Sequence, residues 1–156
     1  MRIDILAVGR MKAGPEREIV ARYLDRAIAS GRALGLTGFA VHEIAESRAS
    51  SPDARKTEEA RGLAAALPEA AVRIILDERG KAPTSEDFAA QIARWRDGGK
   101  AAASFVIGGA DGLDHAFMQA ADLRLGFSAL TWPHQLVRIM LAEQLYRATT
   151  ILSGHP

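Results

Sequence analysis

The stretch 127–148, "FSALTWPHQLVRIMLAEQLYRA", joins two patterns that seldom adjoin. Phe127 to Leu130 close a strand-like run, Thr131-Trp132-Pro133 break it, and a helical pattern takes over. Thr131 is placed to cap a helix starting near Pro133, which leaves Ser128 to Thr131 as a short loop with backbone groups available to a polar ligand. The helix is apolar almost all round, since Leu136, Val137, Ile139, Met140, Leu141 and Leu145 point in nearly every direction. Such a helix is buried on several sides. A small domain offers a terminal helix one core face, so the other apolar face is expected to meet a second copy of the chain. Glu143 and Arg147, four residues apart, can pair and read as interface structure. Arg138 projects from a different face near His134, where a guanidinium beside a ligand loop suits phosphate or a nucleobase edge.

Upstream of this stretch, apolar β-branched runs alternate with helical patterns. "RIDILAV" (2–8), "GFAVHEIAE" (38–46), "AVRIILDE" (71–78), "ASFVIGG" (103–109) and "LRLGFSAL" (123–130) read as strands. Between them lie "PEREIVARYLDRAIAS" (15–30), opened by Pro15, and "SPDARKTEEARGLAAAL" (51–67), started by Ser51 and Pro52. "SEDFAAQIARWR" (85–96) follows, with Ser85 as N-cap, and then "DHAFMQAAD" (114–122). This alternation predicts an α/β fold, a parallel sheet covered by helices. A length of 156 residues fits a single domain spanning 1–156. Residues 46–58, "ESRASSPDARKTE", rich in serine and charge, read as a mobile loop.

Composition narrows the function. With 48% hydrophobic and 25% charged residues the chain is an ordinary globular one, and no apolar run nears the roughly 18 residues of a membrane span. Asp4 interrupts the first apolar run, which argues for a strand and against a signal peptide. With Cys 0, disulfides, thiolate zinc sites and cysteine nucleophiles are excluded. A cytoplasmic protein is expected. The net charge of +1 is unlike that of a dedicated nucleic-acid binder, so any RNA contact must come from local patches. The N-terminal segment offers one, with Arg10, Lys12 and Arg17, although a solvated helix face accounts for it equally well.

In "VIGGADGLDHA" (106–116), Gly108, Gly109 and Gly112 lie between a strand and a helix, where close backbone approach to a ligand is possible. The spacing is not the dinucleotide fingerprint, and no Walker lysine follows, which argues against NAD and ATP. A tight strand-to-helix turn would use the same glycines, so the motif alone does not choose. No carboxylate pair, nucleophile elbow or histidine metal spacing is present. His42 and His115 read as structural or exposed, and His155 remains as a candidate acid or base.

Four segments together resemble a known family: "DILAVGRMK" (4–12), "ILDERGK" (75–81), "FVIGGADGL" (105–113), and 127–148 continuing to "GHP" (154–156). Over essentially the whole chain they are similar to the ribosomal RNA large subunit methyltransferase H family of the SPOUT class. The resemblance implies a SPOUT fold with a C-terminal trefoil knot, an exception to the rule against threaded chains. It implies a homodimer that transfers a methyl group from S-adenosyl-L-methionine to N3 of a pseudouridine in 23S rRNA, on the assembled ribosome, without a metal. The cofactor pocket it implies comprises Leu76, Gly108, Gly109, Phe127, Ser128, Ala129, Leu130, Thr131 and Trp132, with Leu76, Leu130 and Trp132 walling the adenine. On that basis Arg138 is expected to orient RNA or the uracil edge, and His155 to accept a proton. Family members continue past the "HP" with a Tyr-His-Arg tail, and the sequence here ends at Pro156, which leaves the tail's part open. The alternatives are a SPOUT enzyme with another RNA target and a non-catalytic RNA-binding SPOUT protein.

Overall fold

In β1 (Arg2–Val8) every residue after Arg2 is buried, because both faces of the strand are covered. Ile3, Ile5 and Ala7 point to one side and Leu6 and Val8 to the other, the alternation that a pleated strand imposes. The computed structural model of the chain describes residues 1–155. After β1 come α1 (Pro15–Gly31), a 3₁₀ turn (Arg32–Leu34), β2 (Thr37–Ile44), α2 (Pro52–Ala66) and β3 (Val72–Lys81). Then follow α3 (Ser85–Asp97), β4 (Ala102–Ile107), α4 (His115–Gln119), β5 (Leu123–Leu125) and α5 (His134–Leu152). The five strands form one sheet in the order β2-β1-β4-β3-β5, and every pairing is parallel. This is the helix-covered parallel α/β sheet that the alternating pattern predicts.

The two faces differ in depth. On one, Ile3, Ile5, Ile74 and Phe105 of the sheet pack with Val20 and Leu24 of α1, Phe88 and Ile92 of α3, and Leu141 and Leu145 of α5. On the other, Leu6, Ile75 and Val106 meet Leu63 of α2 and Phe117 of α4. Helix α5 thus lies in a trough between α1 and α3 over the sheet, so several sides of it are covered within one chain. That revises the expectation drawn from its all-round apolar character. Leu141, Ala142, Leu145 and Ala148 are core, and a narrower strip containing exposed Leu136 and half-buried Ile139 and Met140 is left at the surface. No helix among the described residues is long and apolar enough to cross a membrane.

Local differences from the sequence reading have physical causes. The N-cap of α3 is Thr84, whose hydroxyl accepts from the Asp87 amide at 3.1 Å. Ser85, expected in that place, instead donates to Gln144 of α5 at 2.9 Å. The segment 46–58 divides at Ser51, which caps α2 by accepting from Ala54 N at 3.1 Å. Its first half is tied down, with the Ser47 amide donating to Glu59 at 3.0 Å and the Ser47 hydroxyl to Glu58. β5 stops at Leu125, short of the expected run to Leu130, and β3 continues to Lys81, past the expected Glu78. The ladder between β3 and β5 breaks after Leu76 and resumes at Lys81 opposite Leu125. Residues 77–80 are thereby looped out at the carboxyl edge of the sheet.

Candidate functional site

In open parallel sheets, ligands gather beyond the carboxyl ends of the strands. Here three loops meet at that edge: residues 76–79 from β3, 107–113 from β4 and 124–132 around the end of β5. Together with Lys56 of α2 and His134 and Val137 of α5, they line a cavity of ≈ 670 Å³. That lies within the roughly 300–1,000 Å³ of small-molecule sites. Leu76, Ile107, Leu113, Leu130 and Val137 make its walls apolar, while Lys56, Asp77, Glu78, Arg79, Asp111 and Arg124 supply charges of both signs.

Side-chain bonds between the loops hold this shape. Arg124 donates through Nε and Nη2 to Asp77 Oδ2 at 3.0 and 2.6 Å, joining β5 to the looped-out segment. Thr131 Oγ1 donates to Glu78 Oε2 at 2.6 Å. Thr131 therefore ties two loops together and does not cap α5, whose N-cap is Pro133 with no side-chain cap bond. Ser128 Oγ accepts from the Leu130 amide at 3.1 Å and from Trp132 Nε1 at 2.9 Å, folding the loop back on itself. Leu130 and Trp132 nonetheless remain 67% and 37% exposed, apolar surface of the kind that a planar ligand would cover. On the opposite wall, Arg55 grips Asp111 with Nε at 2.6 Å and Nη2 at 3.1 Å, and its Nη1 reaches the Ala49 carbonyl at 3.1 Å. The Arg55 hydrogen bond outweighs the effect of burial and holds the Asp111 carboxyl below the usual range. Behind Gly109 stands Glu59 of α2, a buried carboxylate whose Oε2 would lie 3.0 Å from a Cβ at that glycine.

Of the residues expected in the pocket, Leu76, Gly108, Gly109, Phe127, Ser128, Leu130, Thr131 and Trp132 all line the cavity. Ala129 is an exposed member of the same loop but not a lining residue. Arg138 is placed elsewhere. It is 5% exposed, with Nη1 2.5 Å from Glu43 Oε2 and Nη2 2.6 Å from the Gly9 carbonyl, at the end of β1. His155 is exposed just beyond the far end of α5, and its amide donates to the Thr150 carbonyl at 3.0 Å. The 19 residues of α5 place it roughly 28 Å from the helix start at the cavity. Glu143 and Arg147 pair as their spacing predicts.

A family model described as "Predicted SPOUT methyltransferase" matches residues 1–156. The chain belongs to the SPOUT methyltransferase family. Two relatives named ribosomal RNA large subunit methyltransferase H, from Rhizobium etli and Rhodopseudomonas palustris, are 56% and 53% identical to it. Each alignment covers 100% of this chain and 98% of the relative. Among solved structures, the SpoU methyltransferase AviRb from Streptomyces viridochromogenes gives a TM-score of 0.41 at 15% identity, over 98% of this chain and 58% of that one. That likeness is too distant to bear on the site.

Part of the candidate site in this SPOUT methyltransferase family member is not legible in the sequence. Asp77, Glu78 and Arg79 were visible as charges following a strand, a signal that the "LDERGK" run carries locally. Arg55 with Asp111 and Arg124 with Asp77 are 56 and 47 residues apart, and no local pattern links such partners.

The Glu43 pairing has a consequence for stability. Burial alone would raise the Glu43 carboxyl, but hydrogen bonds from Arg138 and the Met11 amide and the charges of Arg138 and Arg17 outweigh it and lower it. A depressed carboxylate contributes stability that is full above its unfolded pKa and is lost as pH falls through the folded one. Thermal melts are therefore expected to drop more steeply on acidification, below about pH 4, for the parent than for a Glu43→Gln variant. Parallel pH profiles for the two proteins would refute this.

Proposed function

We propose that the chain is an S-adenosyl-L-methionine-dependent methyltransferase acting on N3 of a pseudouridine in 23S rRNA, with the assembled ribosome as substrate in the cytoplasm. The observation that carries this is the cavity, which three loops of a SPOUT chain build at the carboxyl edge of the sheet. Relatives named for ribosomal RNA methylation, aligned along their whole length, support the RNA target.

The residues present fit the cofactor. Leu76, Leu130 and Trp132 offer apolar surface to an adenine, and the backbone of Gly108, Gly109 and of 127–131 offers donors and acceptors to the rest. Lys56 and Arg124, set against Asp77 and Asp111, are suited to the carboxylate and ammonium of an amino-acid end. When bound, the sulfonium supplies an electrophilic methyl group, so the main task of the protein is to align the acceptor nitrogen, which is worth about 7–11 kcal/mol. The N3 proton needs an acceptor. His155 can take that role only for the pocket of a second copy, because α5 holds it at the far end of its own chain. A homodimer is part of the proposal for that reason. It is also supported by the strip of Leu136, Ile139 and Met140, and by a groove of ≈ 380 Å³ between Tyr23 of α1, Phe88 of α3 and Met140 of α5. The trefoil knot belongs to the same proposal, supported by the tight crossing of residues 77–81 and 124–126.

The test is methyl transfer from labelled cofactor to ribosomes that lack the modification, with the product mapped by mass spectrometry. Label on N3 of one pseudouridine, and far slower labelling of protein-free RNA, are expected. Label on another atom, equal rates on naked RNA, or no transfer would sink the assignment.

A further inference from the structure

Arg138 poses a question that the cavity does not answer. A guanidinium costs a great deal to bury without partners, and here its partners come from the end of β1, the turn after it and β2. Nη2 lies 2.6 Å from the Gly9 carbonyl and 3.5 Å from that of Val8, and Nη1 is 2.5 Å from Glu43 Oε2. The same Glu43 oxygen accepts from the Met11 amide at 2.6 Å. Arginine and glutamate thus bracket the turn from both ends, fixing a carbonyl before Arg10 and an amide after it. Arg10 and Lys12 stand exposed on this bracketed segment, and neither forms an ion pair among the described residues.

The turn also adjoins the cavity. β1 pairs with β4, and a Cβ on Gly109, which lines the cavity, would touch Val8 Cγ1 at 3.0 Å. The segment that carries the two exposed cations therefore leaves β1 right after a residue packed against the lining of the proposed cofactor site. An ordered pair of cations loses less entropy on meeting phosphates than a loose one, because the turn is fixed in advance.

Resting on the methyltransferase function proposed above, we infer that Arg138 is a positioning residue for RNA and not a contact to it. With Glu43 it clamps the Gly9–Met11 turn so that Arg10 and Lys12 meet RNA phosphates next to the cofactor. Because Arg138 lies one turn inside the helix that leaves the cofactor loop, the clamp fixes the RNA-facing cations relative to the methyl donor.

The test is steady-state methylation of ribosomes over a range of salt, with Arg138→Met, Glu43→Gln, an Arg10→Gln/Lys12→Gln double variant, and the triple variant that adds Arg138→Met. For Arg138→Met the KM for ribosomes is expected to rise about tenfold and the slope of log KM against log salt to fall by about one to two. The KM for the cofactor should stay within about twofold. Glu43→Gln should shift the same quantities less, and it carries the test if Arg138→Met fails to fold. In the triple variant Arg138→Met should add nothing to the loss already caused by Arg10→Gln/Lys12→Gln. A fall in kcat at unchanged KM for ribosomes, or a full additive loss in the triple variant, would overturn the positioning role. A parent protein that labels no ribosomal RNA would overturn the function itself and this role with it. A parent that labels ribosomes while Arg138→Met keeps its KM and salt slope would overturn only the role of Arg138.

Discussion

Replacing Gly80 with alanine is expected to abolish cofactor binding and lower the stability of the chain by about 3 kcal/mol, at the upper end of ordinary overpacking costs. A Cβ there would stand 2.6 Å from both the carbonyl carbon and oxygen of Arg124, and 2.8 Å from the carbonyl carbon of Leu125. These are backbone atoms of β5, so no rotamer change relieves the clash. Gly126 faces the crossing from the other side, where a Cβ would meet the Asp77 carbonyl oxygen at 2.8 Å, and its amide donates to the Lys81 carbonyl at 2.9 Å. The crossing can separate only by breaking that bond and, with it, the Arg124 to Asp77 and Thr131 to Glu78 bonds that set two of the three cavity loops. For a chain of 156 residues the expected loss is a fall of roughly 6–12 °C in Tm, measured by calorimetry. Titration with S-adenosyl-L-methionine should give no heat of binding. A Gly80→Ala protein that melts within about 2 °C of the parent and binds the cofactor normally would show that the crossing is not tight.

That crossing also shows where sequence legibility ends. Strand runs such as 2–8 and 103–107 are readable because a strand covered on both faces must be apolar at consecutive positions, and β1 and β4 are buried in that way. Loop chemistry is different, since a hydroxyl has several possible partners and the nearest in sequence need not win. Thr131 had the right place to cap α5 but bonds Glu78, 53 residues away, and Ser85 gave up an N-cap to reach Gln144. Arg138 is the sharpest case. Its neighbours along the helix suggest a ligand-facing charge, yet its partners Glu43 and Gly9 lie 95 and 129 residues away, across the parallel sheet. Only the order of the strands, with β1 between β2 and β4, brings those groups under α5. The pocket loops were legible through resemblance and glycine content, while the bonds that shape them were not.

Two substitutions on α5 are expected to separate its two roles. Leu141 is 0% exposed among the residues of α1, α3 and the sheet, so Leu141→Ala removes packing inside one chain. The cost of such a cavity runs to about 2–5 kcal/mol, a fall of roughly 4–20 °C in Tm at any protein concentration. Leu136 lies on the same helix but is 40% exposed, with Met140 one turn further along the strip. In an isolated chain Leu136→Glu puts a carboxylate in water and changes stability by less than about 0.5 kcal/mol. In the proposed dimer the same carboxylate would be desolvated without a partner, which weakens association by about 1–3 kcal/mol, or roughly 5- to 150-fold in Kd. Leu141→Ala should therefore melt early yet sediment as the parent does, while Leu136→Glu should dissociate at concentrations where the parent remains dimeric and lose the concentration dependence of its Tm. A parent chain that sediments as a monomer at micromolar concentration would remove the dimer, and with it the route by which His155 reaches a pocket. A dimer undisturbed by Leu136→Glu would move the interface off this strip of α5.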